Sequence, residues 1–280
     1  MEPIETVRAF YDANVEAEWN RIADQPEFLL TARFLDRYVK KGDRVLDIGG
    51  GPGRYSLYLA EKGCEVTLFD LSEENVRFAA REAAARGLTL RTVCGDAREA
   101  DRLVAEGGFD CVLLMGPLYH LLEEADREAA VRAACRLLKP GGVLFAAFIS
   151  MYGGMIYMTR EAPEIVLSDH PAEIEFRKAL LAGESFAGDA FTKAFFIQPR
   201  EILPFMARFP LEKLHLFGQE GIMAPNTDKI SASAPEVVRA LTDVSEMLCE
   251  REELLSWAEH LMYVGRKKCE KGEETGNADA

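Results

Sequence analysis

The chain has 280 residues, of which 48% are hydrophobic, and a formal net charge of −14 at pH 7; that size and apolar content suit one enlarged domain, or a domain with a small cap, around a sizeable core. Such an acidic chain repels a phosphate backbone unless its basic residues gather on one face, and no strong basic run is present, so nucleic acid is disfavoured as a partner. No stretch approaches ~18 uninterrupted apolar residues, and "MEPIETVRAFYDANVEAEWNRIA" is acidic where a signal peptide carries a basic region and an apolar core, so the expected location is cytoplasmic.

In chain order, Ile4, Val7, Tyr11, Val15, Trp19 and Ile22 recur at helical spacing, which predicts a helix laid against the body of the protein. Short β-branched and aromatic runs follow: "RVLDIG" (44–49), "EVTLFDL" (65–71), "LTLRTVCG" (88–95), "FDCVLLMG" (109–116) and "GVLFAAFI" (142–149). Stretches of helical periodicity separate them, which is a βαβ pattern. One connector, "SEENVRFAAREAAARG", opens on Ser72 as N-cap, carries Glu in its first turn and ends on Gly87 as C-cap. The strands are nearly continuous apolar runs, as in a parallel sheet covered on both faces. Residues 42–150 therefore read as a doubly wound α/β sheet. Residues 150–206 are longer than an ordinary connection and predict a cap with its own short helices. "LEKLHLFGQEGI" (211–222) and "AEHLMYVGRKK" (258–268) predict two more strands, with a long helix near 236–257 between them; the tail 269–280 is polar and reads as disordered.

In doubly wound sheets ligands sit at the carboxyl ends of the strands, near the point where strand order reverses. "VLDIGGGPGRYS" (45–56) ends the first strand. It is not a P-loop, because Gly53 is followed by Arg54 and Tyr55 and the phosphate-reaching Lys is missing. It fits a dinucleotide fingerprint poorly, since Arg54 stands where a small residue packs helix on strand. Asp47 lies in a buried strand and needs partners, which the N–H groups of the glycine loop are expected to supply. Asp70 and Asp96, each ahead of a helix, also suit plain N-caps.

Asp47-Ile48-Gly49-Gly50-Gly51-Pro52-Gly53 resembles the D-x-G-x-G-x-G loop of class I S-adenosylmethionine-dependent methyltransferases. Three further matches follow in order: Asp70 with Leu71, 23 residues beyond Asp47; Gly95-Asp96-Ala97; and Met115-Gly116-Pro117-Leu118-Tyr119-His120. The helix–turn–strand "RLLKPGGVLFAAF" (136–148) resembles the family as well. The resemblance implies a Rossmann-like sheet of seven strands, mostly parallel with the last antiparallel, and helical cap insertions. It implies S-adenosylmethionine as cofactor, leaving as S-adenosylhomocysteine, and no metal. Asp47, Gly49, Gly50, Gly51 and Gly53 would approach its amino-acid end, Asp70 and Leu71 the ribose, Gly95, Asp96 and Ala97 the adenine, and Met115 and Gly116 the transferred methyl. An N-terminal lid helix over 1–30 would bring Tyr11 or Trp19 to the cofactor. The remaining divisions are the cofactor core (31–150), a cap or substrate insertion (151–206), the completion of the sheet (207–268) and the tail.

The cap is rich in Met151, Tyr152, Met155, Tyr157, Met158, Phe186, Phe191, Phe195 and Phe196, which suits either local core or a small apolar or aromatic acceptor. The [DN]-P-P-[YF] motif of nucleic-acid amino methylation is replaced by Gly116-Pro117-Leu118-Tyr119, and "GPLYHL" is closer to bacterial small-molecule enzymes. Methyl transfer is an in-line displacement that needs alignment above all. His120 is the candidate general base and Tyr119 a candidate to orient the reactants, ahead of His170 and Asp189. The six cysteines are scattered without a C-x-x-C, so neither a zinc site nor a disulfide framework is expected. Alternatives are a non-catalytic S-adenosylmethionine-binding partner subunit, or an RNA or protein methyltransferase.

Overall fold

The computed structural model describes residues 2–21 and 25–269; Ile22 and the tail beyond residue 269 lie outside them. The chain opens with α1 (Pro3–Ala13), α2 (Val15–Arg21) and α3 (Pro26–Tyr38). It continues through β1 (Arg44–Ile48), α4 (Arg54–Glu61), β2 (Glu65–Asp70), α5 (Glu73–Ala85), β3 (Arg91–Cys94), α6 (Ala100–Leu103), β4 (Phe109–Leu114), α7 (Glu124–Leu137) and β5 (Leu138–Ser150). The insertion holds α8 (Met151–Arg160), α9 (Pro171–Ala182), β6 (Phe186–Asp189), β7 (Lys193–Ile197) and α10 (Pro199–Met206). Last come β8 (Leu211–Gly218), α11 (Thr227–Ser231), α12 (Pro235–Leu248), α13 (Glu252–Leu255) and β9 (His260–Lys267).

The strands β3, β2, β1, β4 and β5 lie side by side in parallel, and β9 then runs antiparallel between β5 and β8. The seven expected strands and the antiparallel last one are thus present. Strand order reverses at β1, flanked by β2 on one side and β4 on the other, so the glycine loop leaves the sheet at the switch point. Successive residues of β1 serve opposite layers: Leu46 and Ile48 pack with α7, while Val45 packs with Leu30, Phe34 and Leu35 of α3. In that second layer Phe34 stacks on Phe217 of β8 with centroids 3.8 Å apart.

Local signals hold where local chemistry decides. Ser72 Oγ caps α5 by accepting the Asn75 N–H at 3.1 Å, and Gly87, at φ +67°, follows the helix end while Leu88 N–H reaches back to the Ala83 carbonyl at 2.9 Å. Three expectations change. The single N-terminal helix is two, because Asn14 turns its side-chain amide onto the Phe10 carbonyl at 2.7 Å and interrupts the ladder. The helix near 236–257 is also two, its turn fixed where the Cys249 carbonyl accepts Gly218 N–H from β8. The cap adds a hairpin, β6–β7, whose second strand extends the sheet beside Ile149 and Ser150 of β5. All six cysteines are free. Among the described residues no helix is long and apolar enough to cross a membrane.

Candidate active site

A cleft opens at the carboxyl ends of β1, β2 and β4. It is lined by Asp47, Gly49, Gly50 and Gly51, by Asp70 and Leu71, by Gly95, Asp96 and Ala97, and by Met115, Gly116, Tyr119, His120 and Tyr11. Two residues expected there are elsewhere. Gly53, at φ +95°, caps α4 and packs on Ala79 and Leu68. Trp19 lies beneath the Arg54 guanidinium, 3.4 Å from its ring centroid, and against Phe78. The same Arg54 Nε donates to the Trp19 carbonyl at 2.8 Å, so the residue that weakens a dinucleotide fit holds α2 onto α4 instead.

Asp70 is the hub of the glycine loop. Its Oδ2 accepts Gly51 N–H at 2.8 Å, and its Oδ1 accepts Ser72 N–H at 2.8 Å and the Asn75 amide at 3.2 Å. Asp47 behaves differently from expectation. The loop N–H groups of Gly49 and Gly50 go to the Phe69 carbonyl and that of Gly51 to Asp70, leaving Asp47 one hydroxyl, Ser56 Oγ at 2.7 Å. Asp47 Oδ1 is buried without a partner, and burial, with Asp70 nearby, pushes the carboxyl up to about 7. Asp96 does act as a cap, accepting Arg98 N–H at 2.9 Å, and pairs with the Arg98 guanidinium at 2.6 Å.

Two features test whether these residues suit a molecule with an ammonium group and a nucleoside. The orphan Asp47 oxygen is an acceptor waiting for a donor, and a Cβ on Gly51 would meet nothing within 4 Å, so the loop leaves open space beside it. The residues fit. As α1 lies, however, the cleft measures only ≈ 130 Å³, below the ~300–1,000 Å³ of ordinary ligand pockets.

The latch on α1 involves the expected base. His120 Nδ1 lies 2.9 Å from the Lys193 carbonyl and therefore carries the proton, while Nε2 accepts the Tyr11 hydroxyl at 2.7 Å. Burial lowers its pKa to about 4, so the ring is neutral. With both nitrogens engaged, His120 ties α1 to β7 and presents no free nitrogen as a base. Asp12 on α1 adds a second fastening by accepting Ser72 Oγ–H at 2.5 Å. Tyr11→Phe should lower stability by about 1–2 kcal/mol through the unpaired Nε2 and speed amide exchange in α1; unchanged exchange would rule out a latch.

Beside the cleft lies a chamber of ≈ 750 Å³ beneath α8, α9 and the hairpin. Phe176, Phe196, Ile149 and Met158 give it an apolar wall, and His170 and Asp189 reach its edge. The Met, Tyr and Phe residues of the cap divide: Met151, Phe186, Phe195 and Phe196 are buried, whereas Met155, Tyr157 and Phe191 are exposed. Cleft and chamber share Tyr11, Glu18, Arg21, Glu27, Tyr119 and His260.

The charged part of that shared wall has no counterpart in the sequence reading. Glu220 Oε1 lies 2.6 Å from His260 Nδ1, and its Oε2 accepts the backbone N–H groups of Glu259 and His260 at 3.1 Å each. Glu27 Oε2 stands 4.0 Å from His260 Nδ1 and pairs with Arg21 at 3.1 Å, and Arg21 pairs in turn with Glu18 at 3.0 Å. Burial alone would lower the His260 pKa, but the Glu27 and Glu220 carboxylates outweigh it and raise it to about 9. Only the β8–β9 register, which sets Gly218 opposite Leu261, brings residues 220 and 260 together.

Residues 45–142 match the family model described as "Methyltransferase domain". Over 158 residues the chain is 35% identical to the ubiquinone biosynthesis O-methyltransferase of Caulobacter vibrioides, covering 52% of this chain and 60% of that protein. It is 31% identical over 180 residues to the protein of that name from Caulobacter sp. strain K31, covering 64% of this chain and 63% of the relative. The chain thus spans less than two thirds of these relatives' length. Among solved structures, the 1,6-didemethyltoxoflavin-N1-methyltransferase of Burkholderia thailandensis, bound to S-adenosylhomocysteine, superposes with a TM-score of 0.59 at 17% identity, over 95% of this chain and 88% of that one. The magnesium protoporphyrin IX methyltransferase of Synechocystis gives 0.59 at 14% identity, over 95% and 100%. At these identities the likeness is one of fold.

Proposed function

We propose that residues 45–142, which match the family model described as "Methyltransferase domain", form a class I S-adenosylmethionine-dependent methyltransferase domain and that the chain methylates a small-molecule acceptor held in the chamber under the cap. The observation that carries this reading is the shared wall: cleft and chamber are both lined by Tyr11, Tyr119, Glu27 and His260, where a donor in one would meet an acceptor in the other. S-adenosylmethionine supplies a methyl group activated by its sulfonium.

The work left to the protein is alignment and exclusion of water. Asp47 is assigned to the donor's ammonium group and Asp70 to the ribose, with Gly51 leaving room for the chain between them. Gly95, Asp96 and Ala97 are assigned to the base, and Met115 and Gly116 to the end of the cleft nearest the chamber. Tyr11, brought by α1, closes the cleft once it is filled. Tyr119, on both walls, is assigned to orienting the acceptor. The apolar wall suits an aromatic or polyprenyl-like body and the charged wall a polar reacting end; the relatives named O-methyltransferases favour oxygen as the accepting atom.

Calorimetric titration with S-adenosylmethionine, S-adenosylhomocysteine and NADH tests the donor, and release of S-adenosylhomocysteine with hydroxylated aromatic compounds tests the acceptor. Micromolar binding of the first two and acceptor-dependent release are expected. Binding of NADH alone would overturn the reading.

A further inference from the structure

We propose that Glu27, Glu220 and His260 form a binding site for one first-row divalent transition-metal ion, set in the wall between the two cavities. Their ligating atoms all lie within 4.8 Å of one another, with separations of 2.6 and 4.0 Å from His260 Nδ1 to Glu220 and Glu27. A metal with bonds of ~2.0–2.2 Å holds neighbouring ligand atoms roughly 3–3.5 Å apart, so changes of at most about 2 Å in the separations, shared among three side chains, bring the ligands into place. Two carboxylates and one imidazole suit manganese, iron, cobalt or zinc better than calcium or magnesium, which favour all-oxygen shells.

The supports of a metal site are present. Glu220 Oε2 is held by two backbone N–H groups, which turns Oε1 toward His260, and Arg21 fixes Glu27. One further side chain points to a missing polar occupant. Gln219 Oε1 is buried, at 2% exposure, has no partner, and lines the same cavity as Glu27 and His260. A water molecule on a bound ion would satisfy it.

Three protein ligands leave positions open toward the chamber, as in catalytic metal sites. An acceptor oxygen would occupy one of them, which orients it beside the cleft; this use rests on the methyl-transfer reading, whereas the site itself does not. The test is titration of the full chain, freed of metal with a chelator, with Mn²⁺ and Zn²⁺ by calorimetry, together with metal content after dialysis. One ion per chain is expected, with affinity at least about tenfold weaker in His260→Gln and in Glu27→Gln, the latter residue lying on α3, apart from β9. No stoichiometric ion in the wild-type chain, or equal affinity in both variants, would overturn the site. Metal binding without S-adenosylmethionine binding would sink the methyl-transfer reading alone, and the reverse result the metal alone.

Discussion

Asp47→Asn is expected to make the ligand-free protein more stable at pH 8 by about 1–3 kcal/mol and to leave it little changed at pH 4. The side chain is 1% exposed, its one hydrogen bond is to Ser56, and Oδ1 has no partner. Its pKa rises from 3.8 to about 7 on folding, chiefly through burial. A group whose folded pKa is raised gives its full support below the unfolded value and loses it as pH climbs through the folded one. Between pH 4 and 7 the wild-type chain therefore sheds stability, by as much as about 4 kcal/mol at about 1.36 kcal/mol per unit. An amide does not ionise and escapes that loss. Its carbonyl must face Ser56, which leaves an NH₂ in the place of Oδ1, and this unpaired donor takes back part of the gain. Urea unfolding across pH 4–8 gives the answer; parallel curves for the two proteins, or a less stable variant at pH 8, would refute the argument. Affinity for S-adenosylmethionine should fall in the same variant if the donor's ammonium group pairs with this carboxylate, as proposed. A site that is costly when empty and satisfied when filled is a stability–function compromise.

What the sequence disclosed and what it hid divide along one physical line. The glycine loop, Asp70, Gly95 with Asp96, and Met115 each stand at the carboxyl end of one of the first four parallel strands, so they share one edge of the sheet although strand order reverses at β1, and short motifs suffice to find them. Ser72 and Gly87 were legible because capping is settled within a few residues. The Glu27–Glu220–His260 cluster was not, because it joins a helix ahead of the core to the turn after β8 and the first residue of β9, and nothing local marks His260 as different from any residue opening a strand. The β6–β7 hairpin escaped notice for a similar reason: β7 is anchored by the end of β5 and not by its own pattern. Trp19 misled because a helical stripe fixes which residues share a face without fixing what that face meets, and here it meets Arg54 and Phe78. For Asp47 the need for partners was read correctly and their identity was not, since the loop N–H groups were already taken by the Phe69 carbonyl and Asp70.

Asp70→Ala should weaken S-adenosylmethionine binding by about 10- to 100-fold, which corresponds to about 1–3 kcal/mol for a buried hydrogen-bonding partner. Two mechanisms lead there. In one the carboxylate meets the ribose hydroxyls. Gly51, Ser72 and Asn75 take three of its roughly four lone-pair sites, which leaves one on Oδ2, and the side chain lines the cleft. In the other the carboxylate only holds Gly51, and its removal frees the loop to wander from the geometry the ligand needs. A 2′,3′-dideoxy analogue of S-adenosylhomocysteine separates them. If the hydroxyls are the target, the analogue binds the wild-type protein weakly and loses little more in the variant, because the partner is already gone. If the loop is the target, analogue and parent lose affinity by the same factor. We expect the first pattern, with a smaller shared loss from the loop added to it. Equal losses would move Asp70 from ligand contact to loop support, and undiminished binding in a folded variant would remove it from the site.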